Sequence, residues 1–262
     1  MKTDGIVDTA HLLADAARRA ILPCFRSAGL LAENKETDAF DPVTEADRAS
    51  ERAMRAILRY KRPQDGILGE EYGATQGESG LTWVLDPIDG TRGFMSGTPT
   101  WGVLIAVSDE SGPIYGMIDQ PYVGERFEGG LGRSVMAGPQ GTQDLGVKGN
   151  QDLSQSVLFT TFPEVGTANE GAAFKAVADR VKLTRYGMDC YAYALLAAGQ
   201  IDLVIEAGLA AYDIQAPIAV VEAAGGIVTD WSGGPAHLGG RAVAAAGKTQ
   251  HAAALEILSE FV

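Results

Sequence analysis

A short acidic turn at the end of an apolar segment is the feature that most constrains this chain. Trp83 to Leu85 is an apolar run typical of a buried strand, and Asp86-Pro87-Ile88-Asp89-Gly90-Thr91 follows it at once. A proline and a glycine beside two aspartates are typical of a turn. The fold must therefore place two carboxylates, three residues apart in sequence, where a strand ends.

The oxygen atoms of this turn suit a hard divalent cation. Mg²⁺ binds carboxylate and carbonyl oxygens, and it commonly enters through one or two carboxylates together with a substrate phosphate. Asp86, Asp89 and the Ile88 carbonyl can supply such oxygens, while the amides of Gly90 and Thr91 can donate to a phosphate. The alternative interpretation is an acidic turn that binds nothing.

The charge of the chain narrows the classes of partner. The formal net charge is -13, and a nucleic-acid-binding protein needs a basic surface, so no nucleic acid is expected as a partner. The same acidity favours divalent cations, because a phosphate ligand would otherwise be repelled. The three histidines, His11, His237 and His251, lie in alanine- or glycine-rich surroundings, which disfavours a zinc site or a Ser-His-Asp triad.

The sequence predicts a cytoplasmic protein without a membrane partner. No apolar run approaches the roughly 18 residues that a membrane span needs, and the acidic N-terminal residues lack an apolar signal segment. The two cysteines, Cys24 and Cys190, are expected to be reduced core residues.

The spacing of apolar residues predicts an α+β first half. Helices are expected over 6–27 and 45–60. Strands are expected over the ranges 67–68, 82–85, 102–108, 114–119 and 126–128, of which the last three form a meander. The residues 138–155, rich in glycine, glutamine and aspartate, are expected to connect two subdomains, 1–150 and 151–262.

Strands and helices alternate in the second half, which predicts an α/β arrangement. The expected strands cover 157–161, 201–206, 226–231 and 242–246. The expected helices cover 170–180, 190–199, 213–224 and 249–262.

Three further acidic residues stand where a predicted element begins or ends. Asp47 lies near the start of the second helix, Glu70 follows a short strand, and Asp213 opens a helix of the second half. Each has a structural alternative. Asp47 with Thr44 fits a helix capping box, Glu70 fits a solvated turn, and Asp213 fits an N-cap.

In order and spacing, these segments resemble the inositol-monophosphatase-like, Mg²⁺-dependent phosphatases. The resemblance rests on Gly69-Glu70-Glu71, on Asp86 to Thr91 and on Tyr212-Asp213, and it covers almost the whole chain. It implies an α/β protein with a layered α-β-α-β-α sandwich fold, with an α+β N-terminal half, an α/β C-terminal half and the active site between them. It also implies a homodimer.

The resemblance assigns roles to the acidic residues. Glu70, Asp86 and the Ile88 carbonyl would hold one Mg²⁺ ion, and Asp86, Asp89 and Asp213 a second, with Asp86 bridging. A looser third ion near Glu70 is implied, and Mn²⁺ is expected to substitute for Mg²⁺. The catalytic residues implied are Thr91, polarised by Asp47 to orient the attacking water, together with Glu70.

Motifs in the second half resemble the histidinol-phosphate phosphatase branch of that family. They are Tyr186 to Tyr193, Val204 to Leu209 and Ala211 to Asp213, together with Thr91 to Gly102. The implied substrate is L-histidinol phosphate, a small phosphate monoester with a cation and an imidazole. One departure is Ala210-Ala211, where the branch often carries a basic residue.

The predicted substrate contacts divide between the two ends of such an ester. Asp189 and Glu206 would face its cationic part, and Arg185 would meet the phosphate. Gly90, Thr91 and Asp213 complete the predicted set of substrate-binding residues. The alternatives are a helix N-cap for Asp189, a charge at a strand end for Glu206, and a surface or subunit contact for Arg185.

Two other functions stay open from the sequence. A broad-specificity inositol or sugar monophosphatase would use the same site, and a non-catalytic member of the family would act as a regulatory partner of other proteins.

Overall fold

The computed structural model of the protein describes residues 3–27, 32–34 and 42–261. The helices of the N-terminal half are α1 (Ile6–Ile21), α2 (Glu45–Lys61) and α3 (Thr91–Ser96). Two short strands, β1 (Ala32–Asn34) and β2 (Pro42–Thr44), pair antiparallel just before α2.

A mainly antiparallel sheet of eight strands forms the centre of the N-terminal half. Its strand order is β10-β9-β8-β7-β6-β5-β3-β4, and only β3 and β5 run parallel. The strands are β3 (Gly66–Gly69), β4 (Gly73–Thr75), β5 (Thr82–Asp89), β6 (Gly102–Asp109), β7 (Gly112–Gln120), β8 (Glu125–Gly130), β9 (Arg133–Gly138) and β10 (Gly141–Asp144).

A mixed sheet of five strands, in the order β12-β11-β13-β15-β14, forms the C-terminal half. The strands are β11 (Val157–Thr160), β12 (Leu183–Tyr186), β13 (Leu203–Leu209), β14 (Ile227–Thr229) and β15 (Gly240–Ala245). The helices are α4 (Ala168–Ala178), α5 (Asp189–Ala197), α6 (Ala211–Ala223) and α7 (Lys248–Leu258).

The helices separate and cover the two sheets. Apolar residues of α1 and α2 pack on one face of the large sheet, and α5 and α6 lie between the two sheets in one continuous core. On the far face of the small sheet, α4 and α7 form the outer layer. This order of layers confirms the α-β-α-β-α sandwich that the resemblance implied.

The central helix α6 packs unusually close to the large sheet. A Cβ atom on Gly116 would lie 2.4 Å from the Ala216 carbonyl oxygen, and one on Gly129 would lie 2.3 Å from that of Ala219. The absence of side chains at these two glycines therefore allows α6 to approach β7 and β8. This approach holds the N-terminus of α6, and with it Asp213, near the end of β5.

Among the predicted boundaries that differ from the structure, two lie beside a proline. The helix predicted over 6–27 ends at Ile21, since Pro23 has no N–H to donate to a preceding carbonyl. The strand predicted to end at Leu85 continues to Asp89 with a register shift between Asp86 and Asp89. A bulge of this kind accommodates Pro87, which cannot donate to the ladder of a central strand.

Several elements were not predicted from the sequence. They are the short helix α3 and the strands β1, β2, β4, β9, β10 and β12. The meander of β6, β7 and β8 is confirmed as consecutive antiparallel pairs. Within the described ranges, none of the helices has the length and apolar character needed to cross a membrane.

Candidate active site

A cavity of about 260 Å³ lies between the two halves. Its walls come from the end of β5, the start of α3, the start of α5, β13 and the N-terminus of α6. Six carboxylate side chains line it among the described residues: Glu70, Asp86, Asp89, Asp189, Glu206 and Asp213. The structure thus brings together acids that are up to 143 residues apart in sequence (213 − 70).

Three of these carboxylates form a group with the spacing of a metal site. Asp86, Asp89 and Asp213 each offer one oxygen atom, and the three oxygens lie within 4.8 Å of one another. The bulge in β5 presents the first two, and the first turn of α6 presents the third. Carboxylate oxygens are the ligands that Mg²⁺ prefers, so this donor set fits the predicted cofactor.

The electrostatics of the group also fit a cation. Burial raises the pKa of Asp86 well above its ordinary value, and the charges of Glu70, Asp89 and Asp213 raise it further. Burial likewise raises the pKa of Asp89, with added repulsion from Asp189 and Asp213. A divalent cation would offset both the free-energy cost of burying these charged carboxylates and their mutual repulsion.

Backbone amides orient two of these three carboxylates, those of Asp86 and Asp213. Asp86 accepts a hydrogen bond from the Ile88 amide at 3.0 Å, and Asp213 accepts one from the Ala210 amide at 2.7 Å. The N-cap of α6 is Ala210, and Asp213 is the third residue of the helix. The alternative that Asp213 is itself the N-cap was therefore wrong.

Asp89 links the two halves. Its Oδ2 accepts a hydrogen bond from the amide of Cys190 at 2.6 Å, across 101 residues of sequence. Cys190, the second residue of α5, is a buried free thiol, and Cys24 is a free thiol that is only partly buried. The hydrogen bond ties the predicted metal ligand Asp89 of β5 to the helix that also carries Asp189.

A buried ion pair holds the turn that carries Glu70. The Glu51 carboxylate accepts hydrogen bonds from the amides of Glu71 at 2.7 Å and Tyr72 at 3.3 Å, and it pairs with Arg55 at 2.7 Å. Sequence reasoning missed Glu51, because a glutamate within a charged helix has no signal that distinguishes it from a solvated one. Glu70 itself lines the cavity.

Asp47 combines a structural contact with an unused oxygen. Its Oδ2 accepts hydrogen bonds from both the amide and the hydroxyl of Thr44, which confirms the capping box at the start of α2. Its Oδ1 is buried and has no hydrogen-bond partner within the described part of the chain. Burial raises the pKa of Asp47 to about 6, and the charge of Glu70 adds to that effect.

Thr91 lies at the start of α3 and lines the cavity beside Gly90. Its hydroxyl donates to the Ile88 carbonyl oxygen at 3.1 Å. The hydroxyl and the Asp47 carboxylate thus have separate partners in this structure, and the polarisation of Thr91 by Asp47 stays a prediction.

Glu206 lies in the middle of β13 and not at its end. Its Oε1 accepts from the Thr161 amide at 3.2 Å and from the Thr161 hydroxyl, and its Oε2 accepts from the Tyr193 hydroxyl at 2.8 Å. Burial raises the pKa of Glu206. A buried carboxylate held on both oxygens at a cavity wall is not the surface charge considered as its alternative.

Asp189 is not the N-cap of α5, since Met188 occupies that position. Its φ of 47° is in the left-handed region, which is uncommon for a residue other than glycine. A Cβ atom on Gly90 would lie 2.7 Å from the Asp189 carboxyl carbon, so the carboxylate packs directly against the predicted phosphate loop. Burial and the nearby charge of Glu206 raise the pKa of Asp189 to about 7.

Arg185 does not lie at the cavity. It is exposed on the edge strand β12, outside the set of residues that line the cavity. The cation that does line the cavity is Arg92, which follows Thr91 directly. The sequence shows that Arg92 follows the Asp86 to Thr91 motif, but it does not show that the side chain points into the cavity.

Comparisons with known proteins agree with this geometry. The model of the inositol monophosphatase family matches residues 4–261. The histidinol-phosphatase of Mycobacterium tuberculosis is 34% identical over 241 residues, which are 91% of this chain and 92% of that protein. The chloroplastic bifunctional phosphatase IMPL2 of Arabidopsis thaliana is 41% identical over 88% of this chain, and the chain spans 65% of that protein's length.

A solved structure of an inositol monophosphatase from Zymomonas mobilis has the same fold. It is 37% identical to this chain, with a TM-score of 0.85 over 97% of each chain. The match of the family model to almost the whole chain, together with these identities, shows that this protein belongs to the inositol monophosphatase family of phosphatases.

Proposed function

We propose that this protein is a Mg²⁺-dependent phosphomonoesterase that hydrolyses L-histidinol phosphate to L-histidinol and phosphate. The observation that carries the proposal is the pairing, in one cavity, of a metal-type group of three aspartates with a second acidic pair, Asp189 and Glu206. The first group suits a phosphate held through cations, and the second suits a cationic organic part.

Residues of the N-terminal half, together with Asp213 of α6, would perform the hydrolysis. Asp86, Asp89 and Asp213, with Glu70 and the Ile88 carbonyl, would hold two or three Mg²⁺ ions, for which Mn²⁺ can substitute. When bound, such ions offset the charge on the phosphoryl group and ease deprotonation of a water molecule. The amides of Gly90 and Thr91 would hold the phosphate, and Thr91 with Asp47 would orient the water.

The reaction itself needs no covalent intermediate. The water oxygen gives up a proton and forms a bond to phosphorus as the ester P–O bond breaks, and the leaving alkoxide takes up a proton to become the alcohol. Such a phosphoryl transfer depends mainly on positioning and charge neutralisation. The carboxylates would hold the cations that neutralise this charge, and the backbone amides of Gly90 and Thr91 would position the phosphate.

The names of the relatives support two substrates. Histidinol-phosphatases at 32–34% identity support the proposed substrate, whereas an inositol-1-monophosphatase of Mesorhizobium japonicum, 33% identical over 74% of this chain, supports an inositol or sugar phosphate instead. The acidic pair favours histidinol phosphate, because a neutral polyol gains less from two buried carboxylates. The predicted homodimer and cytoplasmic location belong to the same proposal.

The direct test is phosphate release from L-histidinol phosphate and from inositol 1-phosphate at equal concentration. We expect faster release from histidinol phosphate, dependence on added Mg²⁺ or Mn²⁺, and loss of activity after exhaustive chelation. Full turnover without metal would refute the metal site, and a preference for inositol phosphate would refute the substrate while leaving the phosphatase class intact.

Substitution of Glu206 tests the role of the acidic pair. A carboxylate paired with the substrate ammonium contributes about 1.5–3 kcal/mol as a charge-assisted hydrogen bond. Glu206→Gln keeps the shape and removes the charge, so kcat/KM for histidinol phosphate is expected to fall roughly tenfold or more. The loss for p-nitrophenyl phosphate, which has no ammonium group, is expected to be much smaller.

A matched control is Glu256→Gln on an exposed face of α7, which should change neither substrate's kinetics. Equal losses on both esters for Glu206→Gln would assign Glu206 to the scaffold of the cavity rather than to substrate recognition.

A further inference from the structure

The cavity contains a single cationic side chain among the described residues that line it. Six carboxylates surround the space where an anionic phosphate ester would bind, and Arg92 is the one lysine, arginine or histidine beside them. Bound cations would offset the charge near the three aspartates of the metal-type group. Asp189 and Glu206 lie outside that group, and their charges would still repel a phosphate. A fixed positive charge in the cavity would reduce this repulsion.

Arg92 reaches across the cavity from one half to the other. It is the second residue of α3, next to Thr91 and two residues from Gly90, where the phosphate is proposed to bind. Its guanidinium carbon lies 4.7 Å from the centre of the Phe162 ring, in the segment that follows β11. Its charge also opposes the raised pKa of Asp189, so it acts on the cavity interior.

The ring of Phe162 packs against the guanidinium group of Arg92. Phe162 is a large aromatic residue that is 42% exposed, and it follows Thr161, which is hydrogen-bonded to Glu206. Stacking engages the flat face of a guanidinium, whereas its hydrogen bonds to a phosphate run from the edge, so both can form at once. The aromatic ring thus limits the directions in which the guanidinium edge can point.

We propose that Arg92, oriented by Phe162, is a phosphate-binding residue that holds the phosphate group of the ester and then the phosphate product. The inference rests on the proposed function, because it assumes that the ester occupies this cavity. It extends that function by assigning the protein's own cation for the phosphate to Arg92 and not to Arg185.

The test measures binding of inorganic phosphate to the Mg²⁺-loaded protein by calorimetry, and its inhibition of p-nitrophenyl phosphate hydrolysis. Arg92→Gln is expected to weaken phosphate binding about tenfold, the effect of one charge-assisted hydrogen bond. Arg92→Lys should recover part of the loss, since lysine keeps the charge without the planar fork. Phe162→Leu should weaken binding by a smaller factor, about threefold, because it removes only the orienting ring.

The matched control is Arg59→Gln, an exposed arginine in the last turn of α2, which should leave phosphate affinity unchanged. Circular dichroism and Mg²⁺ binding should match wild type for every variant, which separates a phosphate contact from a folding defect. A larger KM for the ester with a smaller change in kcat is also expected for Arg92→Gln.

The outcomes separate the inference from the proposed function. Unchanged phosphate affinity in Arg92→Gln, or a loss seen in Arg185→Gln instead, would overturn the inference even if histidinol phosphate is hydrolysed. Wild-type protein that hydrolyses no ester, but binds phosphate through Arg92, would overturn the proposed function alone. If Phe162→Leu binds phosphate as wild type does, the orienting role of Phe162 is wrong.

Discussion

Asp86→Asn is expected to reduce turnover to well below a tenth of the wild-type rate and, at the same time, to stabilise the metal-free protein. A tenfold loss corresponds to about 1.4 kcal/mol of activation free energy. We expect Asp86→Asn to raise the activation free energy by more than that value, because both proposed metal positions depend on the charge of Asp86.

The gain in stability follows from the crowding of carboxylates. Burial and the charges of Glu70, Asp89 and Asp213 raise the pKa of Asp86, so its ionised form is unfavourable in the folded protein without metal. Asparagine keeps an oxygen for the Ile88 amide and removes the charge. Each kcal/mol gained raises the melting temperature by about 2–4 °C in proteins of 150–250 residues.

The measurements are kcat at saturating Mg²⁺, Mg²⁺ binding by calorimetry, and thermal unfolding after chelation. Asp144→Asn, an exposed aspartate on β10, is the matched control and should change none of them. An Asp86→Asn protein that keeps more than a tenth of the activity, or that melts earlier than wild type without metal, would contradict the role assigned to Asp86.

Replacement of Asp47 or Thr91 is expected to lower kcat by roughly a hundredfold or more with little change in Mg²⁺ affinity. Both residues are proposed to orient water, and an effect on positioning appears in the chemical step. The buried Oδ1 of Asp47, which has no partner in the described part of the chain, is the atom available for that role.

The capping box complicates Asp47→Ala, because a lost cap costs about 1 kcal/mol of stability. Asp47→Asn keeps an oxygen for the Thr44 amide, and Thr44→Ala removes a cap while leaving the Asp47 carboxylate. We expect Asp47→Asn to lose activity with little change in stability, and Thr44→Ala to show the reverse. Parallel losses of stability and activity in both variants would reduce Asp47 to a capping residue.

Much of the proposed metal site was predictable from sequence because its ligands are local. Asp86, Ile88, Asp89, Gly90 and Thr91 are five residues apart at most, and a strand that runs into a proline-containing turn must present them together. The same holds for the capping box of α2 and for the meander of β6, β7 and β8. Their partners are near in sequence, and apolar periodicity reports which face is buried.

The arrangement of side chains on the C-terminal side of the cavity could not be predicted, because it depends on packing between segments that are distant in sequence. The sequence alone did not distinguish Arg92 from Arg185, because the direction of each side chain depends on how α3 and β12 sit against other elements. Nor did it identify the Asp89–Cys190 hydrogen bond or the Glu51–Arg55 pair behind Glu70.

The sequence by itself therefore determined the layered fold and the family, and it predicted the acidic loop from Asp86 to Thr91 as the site of the phosphate. Only the tertiary structure decided which carboxylates meet around one cavity and which cation faces it. The physical reason is that turn chemistry and periodicity act over a few residues, whereas the docking of two sheets on α5 and α6 sets distances between groups more than a hundred residues apart.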